Sequence, residues 1–388
     1  SMNGGDVFTA SQKIMTHLIN SSEYQPSIKN VYVGILRALV RRKDAHALEF
    51  GEMFYEEIND PRATRTLIQI HGKTGNFTRP MELLKSMPRS AWRTEQLVRF
   101  QNASKLYSEG LNLKVKTTLQ LNPIKGVVLY HASQSRPHTN SGYAIRTHGL
   151  VSALKKHGVD IKVALRHGYP LDRNDFHGDE ISPAVSIEGI EYFFSPTSRF
   201  SSSIINYQEV YNFNRLEKYI QKATEALIEK SQEIRPEIIH SASNFVAGMA
   251  GAQAAKALGI PSIYEIRGFW HLTQSTKRQS YESSDHFKLS ERLEIETAKQ
   301  SDYVFTITNA LKDILVEQGV DEHKISVLPN AVELEKFNKF LLWKICPIAK
   351  PNCQLFPCSI LLVISTLKEE LPVIFSIIPV GLFTKESY

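Results

Sequence analysis

Apolar positions follow three different rhythms along this chain. From residue 28 to about 110 they recur at helical spacing, first as Val31, Ile35, Leu36 and Leu39, then as Leu48, Met53 and Phe54. Short breaks separate these runs at Asn59-Asp60-Pro61, Gly75-Asn76 and Met87-Pro88-Arg89-Ser90, and Pro61 suits the first turn of a helix. The pattern predicts consecutive helices starting near Ile28, Arg62 and Ser90, with little strand.

From Pro123 the rhythm changes to short β-rich runs alternating with helices. The runs are Gly126–His131, Val159–Arg166, Ile190–Phe194, Glu237–His240, Ser262–Ile266, Tyr303–Thr308 and Ile325–Leu328. Helical stretches fall between them at Tyr143–His157, Asn212–Lys230, Phe245–Leu258, Phe287–Gln300 and Ala310–Gln318. The clearest stripe is Phe213, Leu216, Ile220, Ala223 and Leu227. Such alternation predicts an α/β fold, a Rossmann-like parallel sheet with helices on both faces. After Phe337 the rhythm is lost among prolines and isoleucine-rich runs. The expected organisation is a leader over 1–27, a helical region over 28–120, the α/β domain over 121–337, and an aberrant or truncated tail over 338–388.

Composition narrows the function classes. At 42% hydrophobic and 22% charged residues the chain is of ordinary globular make-up, which argues against disorder. The net charge of +6 suits an anionic ligand or an anionic membrane surface. It is too small to indicate nucleic acid, since no basic stripe is interleaved with aromatics. Cys346, Cys353 and Cys358 make no disulfide framework, so the reading is a reducing, cytoplasmic compartment. The most apolar stretch, Leu355–Leu367, falls short of the ~20 residues a membrane span needs. The chain is therefore expected to be soluble, or peripheral at the inner face of a membrane.

Parallel sheets bind ligands at the C-terminal ends of their strands, and the candidate chemistry gathers there. The first run leads into a polar loop ending at Ser141-Gly142-Tyr143. Ser141 can cap the next helix, and Gly142 leaves the helix N-terminus open to an anion or a hydroxyl-rich group. The loop lacks the G-x-G-x-x-G spacing of a dinucleotide site. His240 is placed at the end of its strand, where it could orient a sugar hydroxyl or share a proton. Glu265, Arg267 and His271 fall on the next rim, and Arg267 offers a fork for phosphate or, structurally, for Glu265. Asn309 reads as a helix N-cap and Asn330 as part of a turn leaving the sheet.

These segments, in this order, resemble the N-terminal half of a family 4 glycosyltransferase of the two-Rossmann-domain (GT-B) type. The resemblance rests on Thr139–His148, Ile238–His240, Gly259–Trp270, Ala298–Thr308 and Val327–Val332 with Phe337. It implies retaining transfer of a sugar from a nucleotide sugar to a glycan or lipid-linked acceptor, in cell-surface polysaccharide synthesis such as that of a capsule. No metal or other cofactor is then expected, the donor diphosphate being held by Lys/Arg and helix N-termini. By the resemblance His240 and Arg267 are the catalytic candidates. Ser141, Gly142, Tyr143, Glu265, Asn309 and Asn330 are the substrate-binding ones, with Gly142 in the acceptor-side loop and Asn330 at the hinge. A second His common in the family is Ala242 here. The family's donor-side Glu-x7-Glu motif has no counterpart in residues 338–388, so this chain is expected to be impaired in catalysis.

The stretch Gly75–Phe77 with Met81, Leu83, Leu84 and Pro88 is similar to the second helix of a tetratricopeptide repeat. That likeness makes the helical region an expected surface for a protein partner. The alternative for the whole chain is a non-catalytic helical-repeat scaffold whose Rossmann-like domain binds an acceptor or a partner.

Overall fold

The structure is a computed structural model and describes residues 4–21, 25–113, 120–278, 280–331, 360–364 and 375–379. Its first part is helical: α1 (Gly4–Asn20), α2 (Gln25–Arg41), α3 (Ala47–Met53), α4 (Tyr55–Ile58), α5 (Pro61–Thr74), α6 (Thr78–Ser86) and α7 (Ala91–Glu109). The segment expected to be a leader thus carries a helix, and α1 packs on α2. Local signals explain the main boundaries. Asp60 caps α5 by accepting from Arg62 N, and Gly75 ends it at φ 98°. Ser90 caps α7 through Arg93 N. Among the described residues of this part the helices range from 4 to 19 residues.

The α/β part follows, with β1 (Val127–Ala132), α8 (Gly142–Lys156), β2 (Asp160–Leu165), β3 (Ala184–Ile187), β4 (Ile190–Phe193), α9 (Tyr207–Tyr211) and α10 (Leu216–Ile234). It continues through β5 (Ile238–Ala242), α11 (Phe245–Leu258), β6 (Ser262–Ile266), α12 (Trp270–Ser275), α13 (Asp285–Gln300), β7 (Tyr303–Thr306), α14 (Asn309–Glu317) and β8 (Ile325–Val327). One sheet holds them in the order β3-β4-β2-β1-β5-β6-β7-β8, parallel throughout except for β3. Two short strands in the tail, β9 (Ile360–Ile364) and β10 (Phe375–Pro379), pair antiparallel with each other. The rest of the tail expectation lies outside the described residues.

Two departures from the expected elements have clear causes. The helix expected from Asn212 starts at Leu216, because Phe213 sits in the left-handed region at φ 61°. Its predicted stripe is nonetheless buried throughout, from Phe213 to Leu227. The β3–β4 hairpin was not expected. Its two-residue turn, Glu188-Gly189, has φ of 50° and 77°, the twist that joins adjacent antiparallel strands.

After β4 the chain crosses back past β2 and β1 to β5, so loops after β1 and β5 leave in opposite directions and open a crevice between them. Helix α8 covers one face of the sheet, with Val151 packed among Tyr130, Ile161, Val163 and Tyr192. The other face lies under α10 and α11, where Leu129 and Ile239 join one core with Ile220, Met249 and Leu293 of α13. That core continues into the helical region through Phe77, Leu84, Phe100 and Leu106. Polar clamps fix the junction. Asp285 accepts from Phe77 N (2.8 Å), Thr78 N (2.8 Å) and Thr78 Oγ1 (2.6 Å). Arg292 donates to the carbonyls of Leu106 (2.7 Å) and Tyr107 (2.8 Å) at the end of α7.

Candidate active site

The crevice between β1 and β5 is closed at its base by the side chains of Ser133, just past β1, and Tyr143 of α8, which bond carbonyls at the end of β5. Ser133 Oγ donates to the Ser243 carbonyl at 3.0 Å, and Tyr143 Oη donates to the carbonyls of Ala242 (3.0 Å) and Ser243 (2.9 Å). Ser141 caps α8 by accepting from Ala144 N at 3.3 Å. Gly142, the next residue, is exposed, and a Cβ there would meet nothing within 4 Å. Neither a left-handed backbone nor a packing neighbour demands glycine at this position. What its small size does is leave the N-terminus of a 15-residue helix uncovered, with free N–H groups aimed outward.

Below this rim sits a buried charge cluster under α8. Register places Tyr130 beside His240, and Ala242 beside Glu265, on the face that α8 covers. Glu265 is fully buried. Its Oε1 accepts from Arg146 (3.0 Å) and Arg267 (2.9 Å), and its Oε2 accepts from Tyr130 Oη (2.6 Å). His240 Nε2 lies 3.1 Å from Oε2. Burial alone would raise this carboxyl, yet Arg267, His240 and Arg146 hold it well below the usual carboxylate range. Arg267 is committed on every side. It donates to Thr147 Oγ1 (2.9 Å), to the Tyr143 carbonyl (3.2 Å) and to Tyr130 Oη (2.5 Å), and it stacks over the Tyr143 ring at 4.4 Å.

The residues proposed from sequence therefore separate into two layers. Ser141, Gly142 and Tyr143 meet at the crevice. Glu265 and Arg267 face inward and bind each other, so the Arg267 fork is used on Glu265 within the protein. His240 was expected at a strand end. Instead β5 runs on to Ala242, which leaves His240 inside the strand, 5% exposed, between the Tyr130 and Phe305 rings. Asn309 was expected to cap its helix, but Thr308 does so by accepting from Leu311 N, and Asn309 is the exposed first residue of α14. Asn330 is exposed in the segment after β8. His271 is buried in α12, away from water, which lowers its pKa to about 4.

Sequence reasoning missed the residues that hold the loop between β1 and α8. Arg166, at the end of β2, makes a two-pronged pair with Asp172 at 2.8 and 3.1 Å and donates to the Ser133 carbonyl. Tyr169 and Tyr207 stack on its guanidinium at 4.8 and 4.3 Å. Tyr169 Oη also donates to the Ser135 carbonyl (2.8 Å) and Thr139 Oγ1 (2.6 Å), and Arg173 reaches the same Thr139. The loop is thus fixed from the β2 side before any ligand arrives. An Arg closing a β-rich run with an Asp six residues later was the available signal. Among the described residues no group of three or more His, Cys, Asp or Glu is arranged to hold a metal.

A nearly all-parallel sheet, a crevice at its topological switch point and an open helix N-terminus on one wall define a Rossmann-like ligand-binding domain. Residues 141–331, just under half of the chain, match the model of the glycosyl transferase 4-like domain. A curated relative, the UDP-Gal:alpha-D-GlcNAc-diphosphoundecaprenol alpha-1,3-galactosyltransferase of Escherichia coli, is 36% identical over 103 residues. That stretch is 26% of this chain and 24% of the relative, so the chain spans about a quarter of the relative's length in the match. Among solved structures the chain is similar to sucrose-phosphate synthase from Thermosynechococcus elongatus. There the identity is 14% and the TM-score 0.40, over 54% of this chain and 49% of that one. It is also similar to the catalytic domain of starch synthase IV from Arabidopsis thaliana, with 14% identity and a TM-score of 0.38 over 56% of this chain and 53% of that one.

Proposed function

We propose that this chain supplies the acceptor side of a glycosyltransferase that moves a sugar from a nucleotide sugar onto a glycan or lipid-linked acceptor in polysaccharide synthesis. The observation that carries the reading is the family match over residues 141–331, which spans the crevice loops from Ser141 to Asn330. The Escherichia coli relative, named for a diphosphate-linked lipid acceptor, supports the acceptor class. In this reading the open N-terminus of α8 receives the polar head of the acceptor, with Ser141 and Tyr143 shaping the wall.

Transfer breaks the bond between the anomeric carbon and the donor diphosphate oxygen. A bond forms to an acceptor hydroxyl oxygen, and the hydroxyl proton passes to the leaving phosphate. Retention of configuration and independence from a metal belong to this proposal. The residues described here contribute positioning rather than a strong base, since His240 and Glu265 are covered by α8.

The test pairs binding with transfer. A GlcNAc-diphosphate-lipid analogue is titrated into the chain and into Gly142→Leu, which fills open space and leaves the fold intact. Saturable binding weakened at least about tenfold by Gly142→Leu supports the reading, that being the order of one lost charge-assisted contact. A panel of nucleotide sugars then reads transfer, and NMR of the product reads its anomeric configuration. Binding indifferent to Gly142→Leu, or no saturable binding at all, overturns the proposal.

A further inference from the structure

An open groove lies on the helical region, between α2 and α5, far along the chain from the crevice. It encloses about 590 Å³ and is lined by Gly34, Arg37, Val40, Arg41, Arg62, Arg65, Thr66 and Gln69. Helical spacing makes this lining. Positions 34, 37 and 41 form one stripe of α2, and 62, 65 and 69 form one stripe of α5. All four arginines are exposed, and no acidic side chain lines the groove. The nearest acid in sequence, Asp60, is buried as the cap of α5 and accepts from Arg62 Nε at 3.0 Å and Nη2 at 2.8 Å. Arg65 stacks over Trp92 at 5.1 Å, while Arg37 and Arg41 make no ion pair among the described residues. Arg42 and Lys43 continue the positive charge just past α2.

We infer that this groove is a docking site for the phosphate groups of an acidic phospholipid surface. The charge is one-sided, because Asp60 engages Arg62 while Arg37, Arg41 and Arg65 have no carboxylate partner among the described residues. A guanidinium matches a phosphate through paired N–H donors. The size argues for headgroups over a single free ion. A water occupies about 30 Å³ of liquid, so one phosphate would leave most of this groove unfilled. The charges are also strung along two helices, with Arg37 and Arg41 about 6 Å apart along the axis at a rise of ~1.5 Å per residue. No helix among the described residues is long and apolar enough to cross a membrane. In the proposed function the acceptor is lipid-linked, and this inference deepens that reading by naming how the chain reaches the surface that holds it.

The experiment uses the whole chain in co-sedimentation with vesicles of phosphatidylcholine alone and of phosphatidylcholine with one-third phosphatidylglycerol. Binding is expected only to the anionic vesicles and should fall steeply with salt. Each basic residue near such a surface changes partition by roughly fivefold, so Arg37→Gln with Arg65→Gln should lower it about 25-fold. Arg37→Lys with Arg65→Lys should retain most of it. Lys222→Gln with Lys230→Gln, which removes equal charge from α10, should change it little. If the glutamine variant folds poorly by circular dichroism, hydrogen exchange on the unaltered chain decides instead. Anionic vesicles should then slow exchange in residues 34–43 and 62–69 and leave the sheet unchanged.

Equal binding to neutral vesicles, an equal loss in the Lys222/Lys230 variant, or no exchange protection in the groove overturns the inference. So does saturable binding of inorganic phosphate or pyrophosphate to the groove without vesicle binding, which would make it a site for a soluble anion. Vesicle binding reads nothing about sugar transfer, so failure here is distinguishable from failure of the proposed function.

Discussion

Replacing Glu265 by Gln removes the one carboxylate from a buried cluster that keeps its cations. Arg267 and Arg146 meet Oε1 at 2.9 and 3.0 Å, and their side chains are 8% and 18% exposed. Tyr130 and His240 occupy the Oε2 side. The amide retains one acceptor oxygen but turns an NH2 group toward donors. Breaking a buried pair from one side costs about 3–5 kcal/mol, because the remaining charge is left unpaired. Arg146 can turn partly to water and Arg267 cannot, so the loss should lie near the lower end of that range. Urea unfolding of the parent and Glu265→Gln at pH 7 measures it, provided the slope with urea is unchanged. Adding Arg267→Met should recover at least ~1 kcal/mol, since it removes the stranded charge. The pH dependence has a definite sign. Because the folded-state pKa is depressed, the stability from Glu265 is fully present above its unfolded pKa of about 4.5. It is lost only as pH falls through the lower folded value, so between pH 7 and 5 this group should contribute no slope. A loss under about 1 kcal/mol for Glu265→Gln, or no recovery with Arg267→Met, would refute the view that the cluster is a structural keystone.

Glu294 of α13 carries the opposite shift. Burial raises its pKa to about 7, against the hydrogen bonds from Tyr264 Oη and Phe245 N, so the native state keeps a proton that the unfolded chain releases. Stability should therefore fall as pH rises from about 4.5 to 7, by up to ~3 kcal/mol, and level off above that. Glu294→Gln should flatten this decline. Equal urea-midpoint differences between pH 5 and pH 8 in the parent and the variant would count against it. Asp285→Ala should loosen the helical region from the α/β domain, since three bonds to the start of α6 are lost. Hydrogen exchange at the Phe77 and Thr78 amides should speed up at least about tenfold, for a charged bond worth about 1.5–3 kcal/mol. Unchanged exchange there would show that apolar packing alone holds the junction.

Much of the fold was legible because the chain changes period where it changes architecture. The strand β6 and the helix α11 coincide with their expected ranges, and most other boundaries move by a few residues. Two of the misses share a physical cause. Backbone conformation at single residues decided them, and hydrophobic period does not report it. Phe213 looks like the first apolar position of α10, but its left-handed backbone starts the helix three residues later. Glu188-Gly189 turns the chain in two residues, and with only four residues in β3 there was no alternation long enough to notice. Helix α1 sits in a segment that offered no strong break before it, and its identity depends on packing against α2.

The site was legible in position and not in depth. Strand ends can be located from sequence, but a polar residue near one can either line the crevice or turn under the covering helix. Glu265 and Arg267 are two apart on β6 and its exit, so they share a face, and the register with Ala242 makes that the face under α8. Once α8 brings Arg146 to Glu265, the carboxylate has cationic partners from two elements and no access to solvent. His240 is drawn into the same layer because β5 extends two residues past it. What remains at the crevice itself is mostly backbone: the free N–H groups of α8 above Gly142, and the carbonyls of Ala242 and Ser243 already taken by Tyr143. An acceptor bound there would be recognised by the helix end and by loop shape. The buried cluster would then act indirectly, fixing α8 to β6 so that this helix end stays aimed into the crevice.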